Sequence, residues 1–151
     1  MVPGEVRQRG EPGDIPERRV RKVSKRALFS SFRGDWRTSH KLYLHLNEEF
    51  KFNFDPCPPE PKDDGLFVSW NRKRVYCNPP YGKNIGDWIM KAKEADIAVF
   101  NLPARTDTEW FHYCLSEADE IRFLRGRLKF QGATNSAPFP SVIIIFRKHD
   151  D

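Results

Sequence analysis

Residues 75–88 read VYCNPPYGKNIGDW. A short apolar run meets Asn78, two prolines and Tyr81 before an apolar-spaced stretch begins. Proline holds φ at about −65° and donates no backbone hydrogen bond. Pro79 and Pro80 therefore end a strand over residues 74–77 and stiffen the turn behind it. Two readings of that turn are open. It is punctuation, with Tyr81 as ordinary packing, or it is the rim of a pocket that holds one carbonyl still and keeps one aromatic ring available.

Working outward, Asn84 caps an expected helix over 85–95, with Ile85, Trp88, Ile89 and Ala92 on one face. Ile97 to Leu102 is almost wholly apolar, as in a strand covered on both sides, and Pro103 ends it. Thr106 or Asp107 begins the next helix, with Trp110, Phe111, Cys114 and Leu115 inward. Residues 121–130 form a strand or bent strand with Gly126 inside it. SVIIIF, residues 141–146, is the strongest strand signal, and the polar link 132–140 joins these two into a long hairpin. Upstream, Thr38 or Ser39 caps a helix reaching Phe50, with Leu42, Leu46 and Phe50 at i, i+4 and i+8. Phe52 to Asp55 alternates as a short strand stopped by Pro56.

Alternating strand and helix predict an α/β domain. Its sheet should be mostly parallel, with right-handed crossovers, closed by a C-terminal antiparallel hairpin strand. Ligands bind such sheets beyond the carboxyl ends of the strands. Asp55, Asn78 and Leu102-Pro103 all fall at those ends, so three loops should converge on one site.

The 151 residues suit one domain with a real core. A hydrophobic content of 38% argues against a disordered chain. No apolar run reaches the ~20 residues that span a bilayer, and residues 1–14 hold no signal-peptide core. The expected location is the cytoplasm. Cys57, Cys77 and Cys114 are too scattered for a disulfide framework or zinc site. The four histidines, His40, His45, His112 and His149, show no metal or triad spacing, so no metal is expected. Of the net charge of +5, residues 1–27 carry +4, from eight Lys/Arg against four acids. These residues are expected to form a basic, disordered tail preceding a single domain over 28–151, and such a tail attracts phosphate.

The Asn-Pro-Pro-Tyr turn suits one chemistry in particular. An amine on an aromatic ring, such as adenine N6, delocalises its lone pair and is a poor nucleophile. Acceptors on both N–H bonds draw the nitrogen towards a tetrahedral shape and free the lone pair. Asn78 offers a side-chain oxygen, Pro79 a carbonyl braced by Pro80, and Tyr81 a ring for the base to stack on. The stabilisation grows as positive charge develops on nitrogen, so it acts in the transition state. A base within a duplex must be flipped out to reach such a pocket.

With these residues set out, the chain resembles the phage-type DNA adenine-N6 methyltransferases. The resemblance rests on DWRTSHKLYLHL, FNFDPC, DDGLFVSW, VYCNPPYG, DWIMKAKEAD, NLPARTDTEWFH, IRFLRGRLKF and SAPFPSVIIIF, in family order over residues 35–147. It implies a minimised Rossmann-like methyltransferase sheet, S-adenosylmethionine as methyl donor, and flipped adenine in duplex DNA as substrate, in a phage- or prophage-encoded protein, with a monomer favoured. It implies that Asn78, Pro79, Pro80 and Tyr81 form the catalytic motif. It places Asp55, Pro56 and Cys57 at the donor, with Trp36 and Thr38 from a Trp-x-Thr-Pro segment in which Ser39 here replaces proline. Arg105, Arg127 and Lys129 are the expected phosphate contacts.

Two departures stand out. DPCPPEPKDDG has no glycine until Gly65, where related turns need backbone to approach the donor. Only 18 residues separate Asp55 from the strand's approach at Lys73, too few for two βα units of ~30 residues each. Two strands are therefore expected to be lost or vestigial; Glu60, Asp63 and Asp64 are the candidates for the donor's ribose, with a solvated loop the favoured reading of each. RNA adenine, a protein glutamine, or a degenerate nucleic-acid-binding module are the alternative readings.

Overall fold

The computed structural model describes residues 28–31 (backbone), 38–58, 63–130 and 132–150. The expected tail, Trp36 and Glu60 lie outside these. Five strands form one sheet: β1 (Leu28–Ser31), β2 (Arg74–Cys77), β3 (Ile97–Pro103), β4 (Glu120–Phe123) and β5 (Ser141–Arg147). Their order is β1-β4-β5-β3-β2. β1 pairs with β4 and β2 with β3 in parallel, whereas β5 runs antiparallel to both β3 and β4. The sheet is therefore mixed and not mostly parallel. The β4–β5 hairpin forms as expected, but β5 is inserted between β3 and β4 instead of closing an edge. Its burial explains why: Ser141 to Ile145 are all buried, which a central strand requires.

Helix α1 (Ser39–Phe50) packs on one face of the sheet. Thr38 is its N-cap, accepting a hydrogen bond from Lys41 N at 3.3 Å, and Leu42, Leu46 and Phe50 are its buried stripe. They close over Tyr76, Ile97, Val99, Ile143 and Ile145. Burying each such side chain contributes about 1.5–3 kcal/mol. The opposite face is covered by α2 (Ile85–Met90) and α3 (Glu109–Glu117), which bury Ile85, Trp88, Ile89, Phe111 and Cys114 against Val75, Cys77, Phe100 and Ile144.

Several boundaries differ from the sequence reading. The helix expected over 85–95 narrows into a 3₁₀ turn over Lys91–Glu94, and Asn84 caps it without a side-chain bond. The next helix is capped by Thr108, two residues past Thr106 and one past Asp107, and Trp110 and Leu115 are only partly buried. The strand expected over 121–130 ends at Phe123, because Gly126 turns the chain with φ of 74°. Residues 128–130 then run past the start of α1, where Lys129 O accepts from Ser39 N at 3.1 Å. Phe52 to Asp55 retains one parallel bridge, Phe54 to Val75, beside β2. β1 was not expected from its sequence.

Arg122, on β4, ties the sheet to α1. Its guanidinium donates to both Glu49 oxygens at 2.6 Å and to Glu120 at 2.6 Å, and lies 5.3 Å from the Phe50 ring centre. The Arg122 hydrogen bonds hold the Glu49 carboxyl below its ordinary 4.5, outweighing desolvation. A carboxyl depressed in the folded state stabilises above its unfolded pKa and loses that stabilisation as pH falls through the folded value. The melting temperature should therefore drop as pH falls below about 4.5, and Arg122→Met should flatten that acid limb; pH-resolved thermal melts measure both.

Candidate active site

Tyr76 and Asn78 stand two residues apart on and just beyond β2, so they share the α1 face. Register places the end of β3 beside them: Cys77 pairs with Phe100, and Asn101 follows. At this end of the sheet lies a cleft of about 520 Å³, lined by Ser39, His40 and Tyr43 of α1, Asp55, Cys57 and Pro58, Tyr76, Asn78-Pro79-Pro80, and Phe130. The expected convergence of Asp55 and Asn78 is thus present. Leu102-Pro103 does not line the cleft; β3 reaches the motif through the Asn101 carbonyl, 3.5 Å from the Tyr81 hydroxyl.

A second cavity of about 450 Å³ lies across the motif, lined by Asn78-Pro79-Pro80, Tyr81, Phe130, residues 133 and 135–138, and Phe139. Tyr81 meets Phe139 edge-on at 5.4 Å and Phe130 at 6.3 Å between ring centres. Asn78, Pro79, Pro80 and Phe130 therefore form the partition between the two cavities. Both lie within the size range of small-molecule sites.

The Tyr81 hydroxyl donates to Asn78 Oδ1 at 2.8 Å. An amide oxygen has two lone pairs, so one remains for a ligand while the other is used to orient the amide. The Pro79 carbonyl accepts no hydrogen bond from a described residue. Burial raises the Tyr81 pKa well above its ordinary 10, with the Arg105 charge acting weakly the other way. The hydroxyl stays a donor. Arg105 is exposed and close enough to Tyr81 to be felt there, whereas Arg127 is exposed with no described role in either cavity. Lys129 is exposed and lines a third cavity with Thr38, Ser39 and His40.

Asp55 begins a tight turn whose Oδ1 accepts from Cys57 N at 2.9 Å. Desolvation raises its carboxyl above the ordinary 3.8, and the Cys57 N–H opposes that shift. Desolvation also raises the Cys57 thiol, assisted by the charges of Asp55 and Asp64. Cys57 is therefore a neutral wall of the cleft at neutral pH and not a thiolate nucleophile. Pro56 is buried beneath the turn and faces a smaller cavity with Phe54, Asp55, Pro58, Asp63, Gly65 and Val68. Thr38 caps α1 and does not line the Asp55–Asn78 cleft; its neighbours Ser39 and His40 do.

Gly65 supplies the close approach that the residues directly after Asp55 lack. A Cβ on it would sit 2.0 Å from the Pro56 carbonyl oxygen, and its own carbonyl accepts from the buried Trp70 indole at 2.9 Å. Trp70 is thus core, pinned between Gly65 and Glu94, whose carboxylate accepts from its backbone N–H at 3.0 Å.

Sequence reading did not single out Tyr43, Tyr76, His40, Phe130 or Phe139. Tyr76 was findable from strand period, two before Asn78. Phe130 and Phe139 stand in GRLKF and APFPS, and only the fold of the 132–140 link brings them to Tyr81.

Comparison with known proteins gives the family. A family model described as DNA N-6-adenine-methyltransferase (Dam) matches residues 25–151, and the chain belongs to that family of DNA adenine methyltransferases. No curated protein and no solved structure matches it significantly. Among the described residues, no helix is long and apolar enough to cross a membrane, and no three His, Cys, Asp or Glu side chains are grouped to hold a metal ion.

Proposed function

We propose that this protein transfers a methyl group from S-adenosylmethionine to N6 of an adenine flipped out of duplex DNA. The observation that carries the reading is the shared wall: Asn78, Pro79, Pro80 and Phe130 separate the cleft at Asp55 from the aromatic cavity at Tyr81 and Phe139. The donor fits the first cavity in size and chemistry. Asp55 suits hydroxyl or ammonium groups, and the N-terminal turn of α1, which holds no acidic residue, suits a carboxylate. S-adenosylmethionine supplies an electrophilic methyl group when bound.

Asn78 Oδ1 and the Pro79 carbonyl each accept one N–H of the target amine. That pairing localises the nitrogen lone pair and aims it across the wall. Pro80 keeps the Pro79 carbonyl from turning away. As the N–CH₃ bond would form and the donor's S–CH₃ bond break, with S-adenosylhomocysteine as the leaving group, the positive charge passing to nitrogen would strengthen both hydrogen bonds. The methylated ammonium is acidic, and its proton passes to water. The Tyr81, Phe130 and Phe139 rings offset the cost of unstacking the base. Phe139→Ala should weaken productive DNA binding, read as a KM raised roughly tenfold with kcat changed less, since stacking contributes about 1–3 kcal/mol per base. Arg105, Arg127 and Lys129 serve as phosphate contacts, and substituting each should reduce the salt dependence of DNA binding.

The test of substrate class is transfer from tritiated donor to unmethylated duplex DNA, single-stranded RNA and protein, side by side. Label in DNA should stand well above that in the other two. Label chiefly in RNA or protein would keep the chemistry and replace the substrate.

A further inference from the structure

Asn101 is one of two buried polar residues among the described ones, the other being Ser141, and it interrupts a strand whose seven positions are all buried. A buried amide without full pairing is costly, roughly 1–3 kcal/mol for each unmet group. Its Nδ2 reaches the Tyr76 hydroxyl at 3.4 Å, and its Oδ1 has no partner. Turned over, the amide would take the Tyr76 proton on Oδ1 and leave Nδ2 unpaired, so the shortfall stays in either orientation, and the one with Nδ2 donating to the phenol oxygen is the one that leaves a proton for a ligand. An apolar side chain of the same size would avoid that cost, so the amide has a directional role.

That role is legible in Tyr76. The ring is 7% exposed and is held by Tyr43 edge-on at 5.0 Å and by Phe52 at 5.4 Å, so the hydroxyl cannot swing away. A phenol oxygen accepting from Asn101 keeps its own proton to donate. No described residue accepts that proton, and Tyr76 borders the Asp55–Asn78 cleft. Desolvation pushes the phenol up to about 12, so the proton is present throughout the working range. The walls of the cleft differ in sign. Ser39 and His40 stand in the first turn of the twelve-residue α1 on one side, and the Asp55 carboxyl on the other. The helix end favours the anionic part of a ligand, and Tyr43, one turn further along α1, packs against Tyr76 on that same side.

We propose that the Tyr76 hydroxyl is a donor-binding group of this cleft, donating a hydrogen bond to the carboxylate of the bound methyl donor, and that Asn101 is the positioning residue that aims it. The assignment rests on the proposed use of S-adenosylmethionine and adds residues outside the Asn-Pro-Pro-Tyr motif to its binding.

Calorimetric titration of the full chain tests it, with S-adenosylhomocysteine and with its decarboxylated analogue as probes. Tyr76→Phe removes one oxygen and keeps the ring packing, and a thermal melt confirms the fold. Tyr76→Phe should bind S-adenosylhomocysteine roughly tenfold more weakly, as for a lost hydrogen bond to a charged group. Against the decarboxylated analogue, parent and variant should bind alike. Asn101→Leu should weaken S-adenosylhomocysteine binding without adding to the effect of Tyr76→Phe in the double variant. Equal binding of S-adenosylhomocysteine by parent and Tyr76→Phe overturns the proposal. A tenfold penalty that persists on the decarboxylated analogue overturns the carboxylate assignment. A parent that binds neither probe defeats the donor reading itself, which separates the two failures.

Discussion

Gly65→Ala is expected to lower the melting temperature by roughly 5–15 °C and to remove donor binding. The added methyl would lie 2.0 Å from the Pro56 carbonyl oxygen and 2.8 Å from its carbonyl carbon. Both are backbone atoms, so no side-chain rotation relieves the clash. Either the 63–66 turn or the Asp55-Pro56-Cys57 turn must move. Moving the first pulls the Gly65 carbonyl from the Trp70 indole, leaving a fully buried N–H unpaired at about 1–3 kcal/mol. Moving the second displaces Asp55 from the cleft. Trp70→Phe separates these effects, since it removes the indole hydrogen bond while leaving Gly65 against Pro56. It should lower the melting temperature and spare donor affinity, measured by thermal melts and calorimetry. If Gly65→Ala melts and binds like the parent, Gly65 does not shape the Asp55 turn.

The second large effect is expected at Asn78. Asn78→Ala removes one of the two acceptors for the target amine and should lower the rate of the chemical step by roughly 10²–10³, as for loss of one oxyanion donor, with donor affinity nearly unchanged. Asn78 is only partly buried and is joined to Tyr81 by a single hydrogen bond, which the alternative acceptor at the Asn101 carbonyl partly replaces. The fold should therefore survive. Asn78→Asp keeps acceptor oxygens and should retain more activity than Asn78→Ala. Single-turnover kinetics with a melting curve for each variant measure this. A rate within a few-fold of the parent for Asn78→Ala would remove the amide from the mechanism.

Much of the architecture was written in local pattern. Leu42, Leu46 and Phe50 repeat at helical spacing, and Thr38 does cap them. Ile97 to Leu102 reads as a doubly covered strand and is one. Two of the places where the reading failed depend on tertiary choices. Nothing in SVIIIF states which neighbours it will take, and its insertion between β3 and β4 makes the sheet mixed. Gly126 looked compatible with a continuing strand, but its left-handed φ redirects residues 128–130 towards α1. At the site, Asp55 and Asn78 were legible because strand-end position and side-chain chemistry coincide. Gly65 was visible only as a late glycine in a proline-rich loop, since close backbone approach is set by the fold. Asn101 was hidden among apolar neighbours, where one polar side chain leaves no periodic trace, whereas strand period alone could place Tyr76 on the face of Asn78.

In the proposed reaction the Asn78–Pro79 acceptors activate an adenine amine in DNA. Its most direct test is to let the purified protein act on unmethylated duplex DNA with tritiated S-adenosylmethionine, digest the product to nucleosides and locate the label. Label is expected in N6-methyladenine and should be lost when Asn78→Ala replaces the parent. Label in N4-methylcytosine, or no label in DNA from an active donor-binding protein, would contradict it.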